Sequence, residues 1–275
     1  MIPPELLVFL AALLAGGFGA LVGIGGGLVL VPVLSTFLGV DLHTAIGVSL
    51  LGVIAVSTSA SPSYLRSGLV DRRIGIALLV ATALGGIAGG YVAGLLDDRV
   101  LAGVFAAVLV LVALQMFLSR SSEVAEVVDE PGRLEYDWSY VEPSTGQEVA
   151  YRVRNLGPGT AVSVGAGALS GLLGVGGGVV NVPTMNVLMG IPIRVATTTS
   201  TYMLAPTAAA SAVLYLTRGD VQPLIAAPVV IGVVIGARIG ARLSHRLPHQ
   251  ALTVLFVAVA VVLALQMALR AVAGP

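Results

Sequence analysis

Residues 23–32 read GIGGGLVLVP, and residues 174–183 read GVGGGVVNVP. Each stretch lies inside apolar sequence and places three consecutive glycines before an apolar run that ends in proline. Because a glycine inside a helix costs about 1 kcal/mol relative to alanine, three in a row predict an interruption. In hydrocarbon, the backbone amides that such a break frees must face protein or a watery cavity. The two stretches therefore predict one glycine-broken helix in each half of the chain.

The two stretches belong to a longer internal repeat, in which the chain aligns with itself at an offset of 151 residues and without a gap. Pro32 matches Pro183, and Tyr64 matches Tyr215. Further matched pairs are Gly39 and Gly190, Ser49 and Ser200, Gly85 and Gly236, and Gln115-Met116 and Gln266-Met267. Compositional bias alone would not keep one register across residues 16–118. Internal duplication is typical of secondary transporters, whose substrate site lies at the repeat interface.

The composition is that of a membrane protein. The 275-residue chain is 57% hydrophobic and 10% charged, whereas about 25% of the residues in a soluble domain are charged. Apolar stretches close to the length of about 20 residues that a spanning helix needs lie at roughly 5–23, 44–62, 74–96, 100–118, 161–174, 195–216, 224–246 and 251–269. The sequence therefore predicts an all-α, multi-pass protein of the cell membrane, with about eight transmembrane helices in two tandem repeats.

Three regions follow from the repeat. They are a first transmembrane repeat at 1–118, a polar acidic linker or flap at 119–160 and a second transmembrane repeat at 161–275. The linker carries eight acidic residues and the only tryptophan, Trp138. Such a segment cannot lie in hydrocarbon, and we expect either a solvated linker or a small flap between the two repeats.

The relative orientation of the repeats stays open at this point. If each break and its continuation form one crossing, each half crosses four times and the halves share an orientation. If the short pieces cross separately, the count is odd and the halves are inverted. On the first alternative, the arginines of one side, which the positive-inside rule assigns to the cytoplasm, are Arg66, Arg72, Arg73, Arg120, Arg152, Arg154, Arg218 and Arg270.

The glycine breaks are the best candidates for a substrate site. A helix that restarts at Leu28 or Val179 points its first amides at the break, and this positive end attracts anions. The predicted substrate-binding residues are Gly25, Gly26, Gly27, Ser49, Gly176, Gly177, Gly178, Asn181, Thr198 and Ser200. The structural alternatives are that the glycines only permit close helix packing and that the hydroxyls bond to backbone carbonyls of their own helices.

Few other residues suggest chemistry. His43 and Arg194 occupy equivalent positions of the repeat, where each is either a membrane-boundary charge or a guide for anions. The chain has no cysteine and three scattered histidines, so we expect no metal, no cofactor and no enzymatic activity. Its 14 basic and 14 acidic residues cancel, so no nucleic-acid surface is expected.

The pattern G-x-G-G-G-x-x-x-V-P, present at 23–32 and again at 174–183, resembles the TauE/SafE sulfite exporter family of membrane transporters. The two-repeat layout with a polar loop between the halves is also similar to this family. The resemblance covers the chain apart from roughly 119–160, and that acidic linker is longer than the compact form of the family. It implies about eight spans and the transport of small anions, with sulfite and organosulfonates such as sulfoacetate as substrates.

These observations predict a secondary transporter that moves a small anion, sulfite or an organosulfonate, across the cell membrane. We expect a central site between the repeats, in which the breaks supply partial positive charge, and coupling to a proton or sodium ion. Two alternatives stay open: a passive anion channel, and a membrane scaffold or receptor that acts through residues 119–160.

Overall fold

The first half of the chain forms five helices. The structure is a computed structural model that describes residues 3–22, 25–118, 137–141, 146–244 and 249–273. The helices of the first half are α1 (Pro4–Val22), α2 (Gly27–Pro32, continued by a π-helical turn at Val33–Phe37), α3 (Leu42–Arg66), α4 (Arg72–Ala93) and α5 (Asp98–Leu118). Asp41 and Asp71 begin α3 and α4, because their carboxylates accept hydrogen bonds from the amides of Thr44 and Ile74 and cap the helices.

The second half repeats this order after a short hairpin. The linker contributes strands β1 (Asp137–Val141) and β2 (Glu148–Arg152), which pair antiparallel. The following helices are α6 (Leu156–Leu173), α7 (Gly178–Pro183, continued by a π-helical turn at Thr184–Leu188), α8 (Ile193–Arg218), α9 (Pro223–Ser244) and α10 (His249–Ala273). The rest of the predicted linker, 119–136 and 142–145, lies outside the described residues.

The protein is a helical membrane protein. By length and composition, five helices among the described residues can cross a membrane, within α3, α4, α5, α6 and α9. Three further apolar helical stretches are shorter, at Glu5–Gly19, Gly27–Phe37 and Val257–Val272. The expected total of about eight spans stays a prediction.

Glycines join the first helix of each half to the other half. A methyl group at Gly85 or Gly89 of α4 would overlap the carbonyl oxygen of Val164 or Ala168 of α6. The equivalent glycines of α9 are Gly236 and Gly240. A methyl group at either one would likewise overlap the carbonyl oxygen of Leu13 or Gly17 of α1. Small residues at such positions let membrane helices approach closely. Since residue numbers rise together in both pairs, α4 is parallel to α6 and α9 is parallel to α1.

Two groups of contacts define the two ends of the helix bundle. At one end, His43 at the start of α3 contacts Ala93 at the end of α4 and Asp98 at the start of α5, and we name this end the His43 face. At the other end, Asp71 before α4 accepts a hydrogen bond from Tyr151 of β2, and we name this end the hairpin face.

The two halves run in opposite directions between these faces. Arg218 at the end of α8 donates to the carbonyl oxygen of Tyr91, and Arg270 near the end of α10 lies 4.0 Å from Asp98. Both helices therefore end at the His43 face, and α9 between them runs the other way. Because α1 is parallel to α9 and α6 is parallel to α4, α1 begins at the His43 face and α6 begins at the hairpin face.

The short helix after each break returns to the face at which its half began. A Cβ atom at Gly26 would lie 3.1 Å from the carbonyl oxygen of Ala15 and 3.5 Å from the Cα of Gly16, whereas ten residues of continuous helix would separate Gly16 and Gly26 by about 15 Å. Ser35 lies in the turn that continues α2, and its backbone carbonyl accepts a hydrogen bond of 2.7 Å from the Arg270 guanidinium at the His43 face. The chain has therefore turned back.

The second half turns back in the same manner. A Cβ atom at Gly177 would lie 3.1 Å from the carbonyl oxygen of Ala166 in α6. Met189, after the π-helical turn, accepts a hydrogen bond of 2.9 Å from the amide of Arg154, which precedes α6 at the hairpin face. Each half therefore holds a helical hairpin whose turn lies within the bundle.

These directions argue against one alternative from the sequence, in which the break and its continuation form one crossing and the two halves share an orientation. The total number of spans stays a prediction. The same directions argue against the placement of the arginines on one side. Arg218 and Arg270 lie at the His43 face, whereas Arg72 and Arg152 belong to the segments that meet at the hairpin face.

Candidate functional site

The helix of each half is interrupted at the triple glycine. Gly25 and Gly26 have φ of 84° and 80°, and Gly176 and Gly177 have φ of 86° and 76°. Only glycine adopts this region without strain. The helices restart at once, since the amides of Val29 and Leu30 bond to the carbonyl of Gly26 and those of Val180 and Asn181 to that of Gly177. The amides just before these first donors have no acceptor within their own helix.

The two breaks meet in the middle of the molecule. A methyl group at Gly27 would overlap the carbonyl oxygen of Gly174 and would lie 3.1 Å from the Cα of Val175. The hydroxyl of Ser49 in α3 donates a hydrogen bond of 2.9 Å to the carbonyl of Gly174, and this bond links the first half to the second. The start of α2 and the unwound segment before α7 are therefore in direct backbone contact.

Asn181 and Ser200 stand beside the second break with unused polar atoms. Ser200 of α8 places its hydroxyl oxygen 3.3 Å from the Cβ position of Gly178. Asn181 lies one turn further along α7 and is only 2% exposed. Within the described part of the chain, neither the hydroxyl of Ser200 nor the amide oxygen of Asn181 has a hydrogen-bond partner. A buried polar atom without a partner costs about 1–3 kcal/mol, so both atoms can serve a ligand or a bound water.

The other predicted side chains are engaged elsewhere. The Ser49 hydroxyl is used by the carbonyl of Gly174. Thr198 donates to the carbonyl of Leu69 in the α3–α4 loop, close to the hairpin face and away from the break. His43 and Arg194 start α3 and α8 at opposite faces, so the structure does not bring them together.

Two serines of α6 were not among the residues predicted from the sequence. Ser163 and Ser170 are buried, and their hydroxyls have no partner among the described residues. Their seven-residue spacing places them on one face of α6, and the Cβ of Ser170 lies 3.5 Å from the Cβ position of Gly177. The signal that could have found them is the repeat itself, because the equivalent positions are Ala12 and Gly19.

His43 organises the opposite end of the first half. Its Nδ1 lies 2.9 Å from a carboxylate oxygen of Asp98, and its Nε2 lies 3.0 Å from the carbonyl of Ala93. A protonated ring donates to both oxygens, and Arg270 lies near the same carboxylate. Asp41 is close enough to complete a group of possible metal ligands. Because both ring nitrogens are already used, the arrangement ties three helices together and does not point to a metal site.

The β-hairpin docks on both halves of the helix bundle. Tyr151 is 3% exposed and donates a hydrogen bond of 2.9 Å to the Asp71 carboxylate. Burial, with the neighbouring Asp71 charge, raises the pKa of the Tyr151 phenol, so the phenol keeps its proton and remains a donor. Tyr140 and Tyr151 pack in one apolar cluster with Met185 and Met189, which follow the second break. The predicted flap is therefore attached to the membrane domain.

The comparisons with known proteins agree with a transport protein. The family model described as "Sulfite exporter TauE/SafE" matches residues 8–267. The chain is 28% identical to the "Probable membrane transporter protein YunE" of Bacillus subtilis (strain 168), over 82% of this chain and 83% of that one.

Two further relatives carry similar names. The "Probable membrane transporter protein YdhB" of the same organism is 23% identical over 82% of this chain and 85% of its own. The "Probable membrane transporter protein MJ0441" of Methanocaldococcus jannaschii is 23% identical over 77% of this chain and 72% of its own. No solved structure matches the chain. The chain therefore belongs to the TauE/SafE sulfite exporter family, as a multi-pass membrane transporter of the cell membrane.

Proposed function

We propose that this protein is a secondary transporter that moves a small oxyanion, sulfite or an organosulfonate, through a central site where the two breaks meet. The observation that carries the proposal is the contact of Gly27 with the backbone of Gly174 and Val175. It brings the amino-terminal end of α2 against the unwound segment that leads into α7, and amino-terminal helix ends attract anions. The unpartnered hydroxyl of Ser200 supports the same place, since a hydroxyl can donate to an oxyanion.

The proposed architecture is a pair of inverted repeats. In each half, three helices cross the bilayer in full, and the broken pair forms a hairpin that enters and leaves at one face. The opposite directions of α3 and α8, of α4 and α9, and of α5 and α10 support this arrangement. Transporters built in this way alternate access by rocking one repeat against the other around a fixed site. We include a proton or a sodium ion as the coupling ion of this cycle.

The proposed orientation places the hairpin face in the cytoplasm. Among the described residues, the arginines near the hairpin face include Arg66, Arg72, Arg73, Arg152, Arg154 and Arg194, whereas those near the His43 face are Arg99, Arg218 and Arg270. An excess of arginine marks the cytoplasmic side. Because the chain has no cysteine, single exposed cysteines at Glu148 and Asp97 can report the side. We expect an impermeant thiol reagent outside intact cells to label Asp97→Cys and not Glu148→Cys, and the reverse result would overturn the orientation.

The transport proposal is tested by radiolabelled sulfite uptake into proteoliposomes. We expect saturable uptake, inhibition by organosulfonates, and accumulation above the external concentration when a proton or sodium gradient is imposed. A channel would equilibrate without accumulation. If uptake does not exceed that of protein-free vesicles for sulfite or any organosulfonate, the proposed function is wrong.

A variant pair tests where the anion binds. Gly178→Ala adds a methyl group 3.3 Å from the Ser200 hydroxyl oxygen and 3.4 Å from Leu204 Cδ2. Both are side-chain atoms that can shift slightly, so the protein should fold. The methyl group covers the first turn of α7, and we expect KM for sulfite to rise about tenfold, as for one lost hydrogen bond to a charged group. Gly165→Ala on α6 is the matched control, because nothing lies within 4 Å of its Cβ position. An unchanged KM in Gly178→Ala would show that the anion does not bind at this break.

A further inference from the structure

We propose that Val53 and Leu204 form an apolar gate that closes the space between the two breaks and limits the size of the anion that passes. This inference rests on the proposed function, since it takes the breaks as the place where the anion binds. Val53 lies in α3 and Leu204 in α8. The two positions are equivalent in the repeat, so each half contributes one side chain to the gate.

Both side chains touch both breaks. From the position that a Cβ atom would take at Gly25, the distance is 3.2 Å to Leu204 Cδ1 and 3.9 Å to Val53 Cγ1. From the same position at Gly176, the distances are 2.7 Å to Val53 Cγ1 and 3.0 Å to Leu204 Cδ2. Leu204 also reaches Gly178 at 3.4 Å. Two aliphatic side chains therefore cover the glycine segments that would receive the anion.

The gate is dry in this conformation. Val53 is 1% exposed and Leu204 is 2% exposed. A desolvated anion placed against aliphatic carbon is strongly unfavourable, and a narrow apolar constriction excludes ions because it excludes their water. An anion can reach the amides of the breaks only when these two side chains separate. Separation of the halves would achieve this, because one side chain belongs to each half.

The gate is fastened on one side. Ser57, one turn after Val53, donates to the carbonyl of Thr201 at 2.6 Å and accepts from the amide of Ala205 at 3.0 Å. These bonds link α3 to α8 on the side of Val53 that faces the hairpin. The equivalent of Ser57 in α8 is Ala208, which has no hydroxyl to form the matching link on the other side. The structure thus corresponds to a gate held shut toward the hairpin face.

The test compares Val53→Ala/Leu204→Ala with the matched control Leu109→Ala/Val112→Ala. Leu109 and Val112 are buried in α5 and lose the same number of atoms away from the breaks. In proteoliposomes loaded with radiolabelled sulfite, we expect downhill efflux from the gate variant to exceed that of wild type by at least about tenfold, and bulkier organosulfonates to become substrates. The control variant should keep wild-type efflux and selectivity despite a similar fall in melting temperature.

A second variant keeps the volume and changes only the polarity. Val53→Thr replaces a methyl group by a hydroxyl, which lets water enter the gate, so efflux should again rise above wild type. If both gate variants fold and keep wild-type efflux and selectivity while wild type transports sulfite, the gate is refuted and the proposed function stands. If wild type itself carries no anion, the proposed function fails first, so the two failures are distinguishable.

Discussion

The two halves of the molecule share one helix order and one glycine break, but they differ in the polarity around that break. Three buried positions carry the difference. Ala12, Gly19 and Leu30 of the first half correspond to Ser163, Ser170 and Asn181 of the second half. The three polar side chains have unpartnered atoms within the described residues. The shared glycines therefore build the same scaffold in both halves, whereas the polar side chains at these three positions belong to the second half.

The faces of the bundle differ as well. The His43 face is closed by charge, through His43, Asp98 and Arg270. The hairpin face is covered by an added segment, whose Tyr151 bonds to Asp71. An inverted repeat without additions would have two equivalent ends. The linker makes the two ends unequal.

The largest expected effect is a difference in stability between alanine substitutions at the equivalent glycines Gly27 and Gly178. A methyl group at Gly27 would overlap the backbone of Gly174, whereas at Gly178 it would lie 3.3 Å from the Ser200 hydroxyl oxygen and 3.4 Å from Leu204 Cδ2, side-chain atoms that can shift slightly. Backbone cannot move aside, so Gly27→Ala should lower the free energy of unfolding by about 3 kcal/mol and Gly178→Ala by less than about 1 kcal/mol. Thermal unfolding of the detergent-solubilised protein measures both. Equal effects would show that the breaks are not in contact.

An exchange of Leu30 and Asn181 tests the polarity difference directly. Leu30→Asn should cost about 2 kcal/mol, because it buries an amide in an apolar site. Asn181→Leu should leave the stability unchanged or raise it, because it removes an unpartnered amide oxygen, while sulfite transport falls at least about tenfold. Unfolding and proteoliposome flux are measured on the same preparations. Wild-type flux in Asn181→Leu would mean that the second half is not specialised for the ligand.

The docked hairpin is tested with Tyr151→Phe. Loss of the hydrogen bond to the Asp71 carboxylate should cost about 1.5 kcal/mol, whereas the control Ser139→Ala, at an exposed hydroxyl, should cost less than about 0.5 kcal/mol.

The same variant has a pH signature. Burial in the folded protein, with the nearby Asp71 charge, raises the pKa of the Tyr151 phenol. The contribution of Tyr151 to the free energy of unfolding is therefore complete below the pKa of about 10 in the unfolded chain, and it falls as the pH rises above that value. The melting temperature of Tyr151→Phe should therefore fall less than that of wild type as the pH is raised above about 10. Identical alkaline profiles for both proteins would contradict a buried phenol.

The smallest effect is expected for Ser163→Ala, which installs the residue that the first half has at this position. Because the buried Ser163 hydroxyl has no partner among the described residues, its removal should leave the free energy of unfolding unchanged or raise it by up to about 1 kcal/mol. Ser57→Ala removes two hydrogen bonds and serves as the contrasting control, at about 1 kcal/mol or more. A large loss in Ser163→Ala would assign this serine a structural role.

Much of the fold could be predicted because it depends on local sequence. Apolar runs fix the helices, and runs of glycine such as Gly25–Gly27 fix the interruption, since no other residue adopts the φ values found there. The direction of the short helix after the break could not be predicted. It depends on Gly26 lying beside Gly16, a contact that no periodicity encodes.

The candidate site was only partly predictable for a similar reason. Serine and threonine can donate to a ligand or to any carbonyl within reach, and the sequence does not show which acceptor is near. Ser49 and Thr198 proved to donate to backbone carbonyls, whereas Ser200 kept its hydroxyl unused within the described part. The repeat distinguishes Ser163 and Ser170 from their equivalents Ala12 and Gly19, but only the packing of α6 shows that Ser170 lies against the second break.

The sequence alone determined that this chain is a helical membrane protein with two related halves, each broken at three glycines, because hydropathy and glycine strain act through near neighbours in the chain. Only the tertiary structure decided that the broken helices turn back, that the halves run in opposite directions and that Val53 and Leu204 meet between the breaks. These features depend on packing between residues far apart in sequence, where steric fit between backbones decides which surfaces can touch.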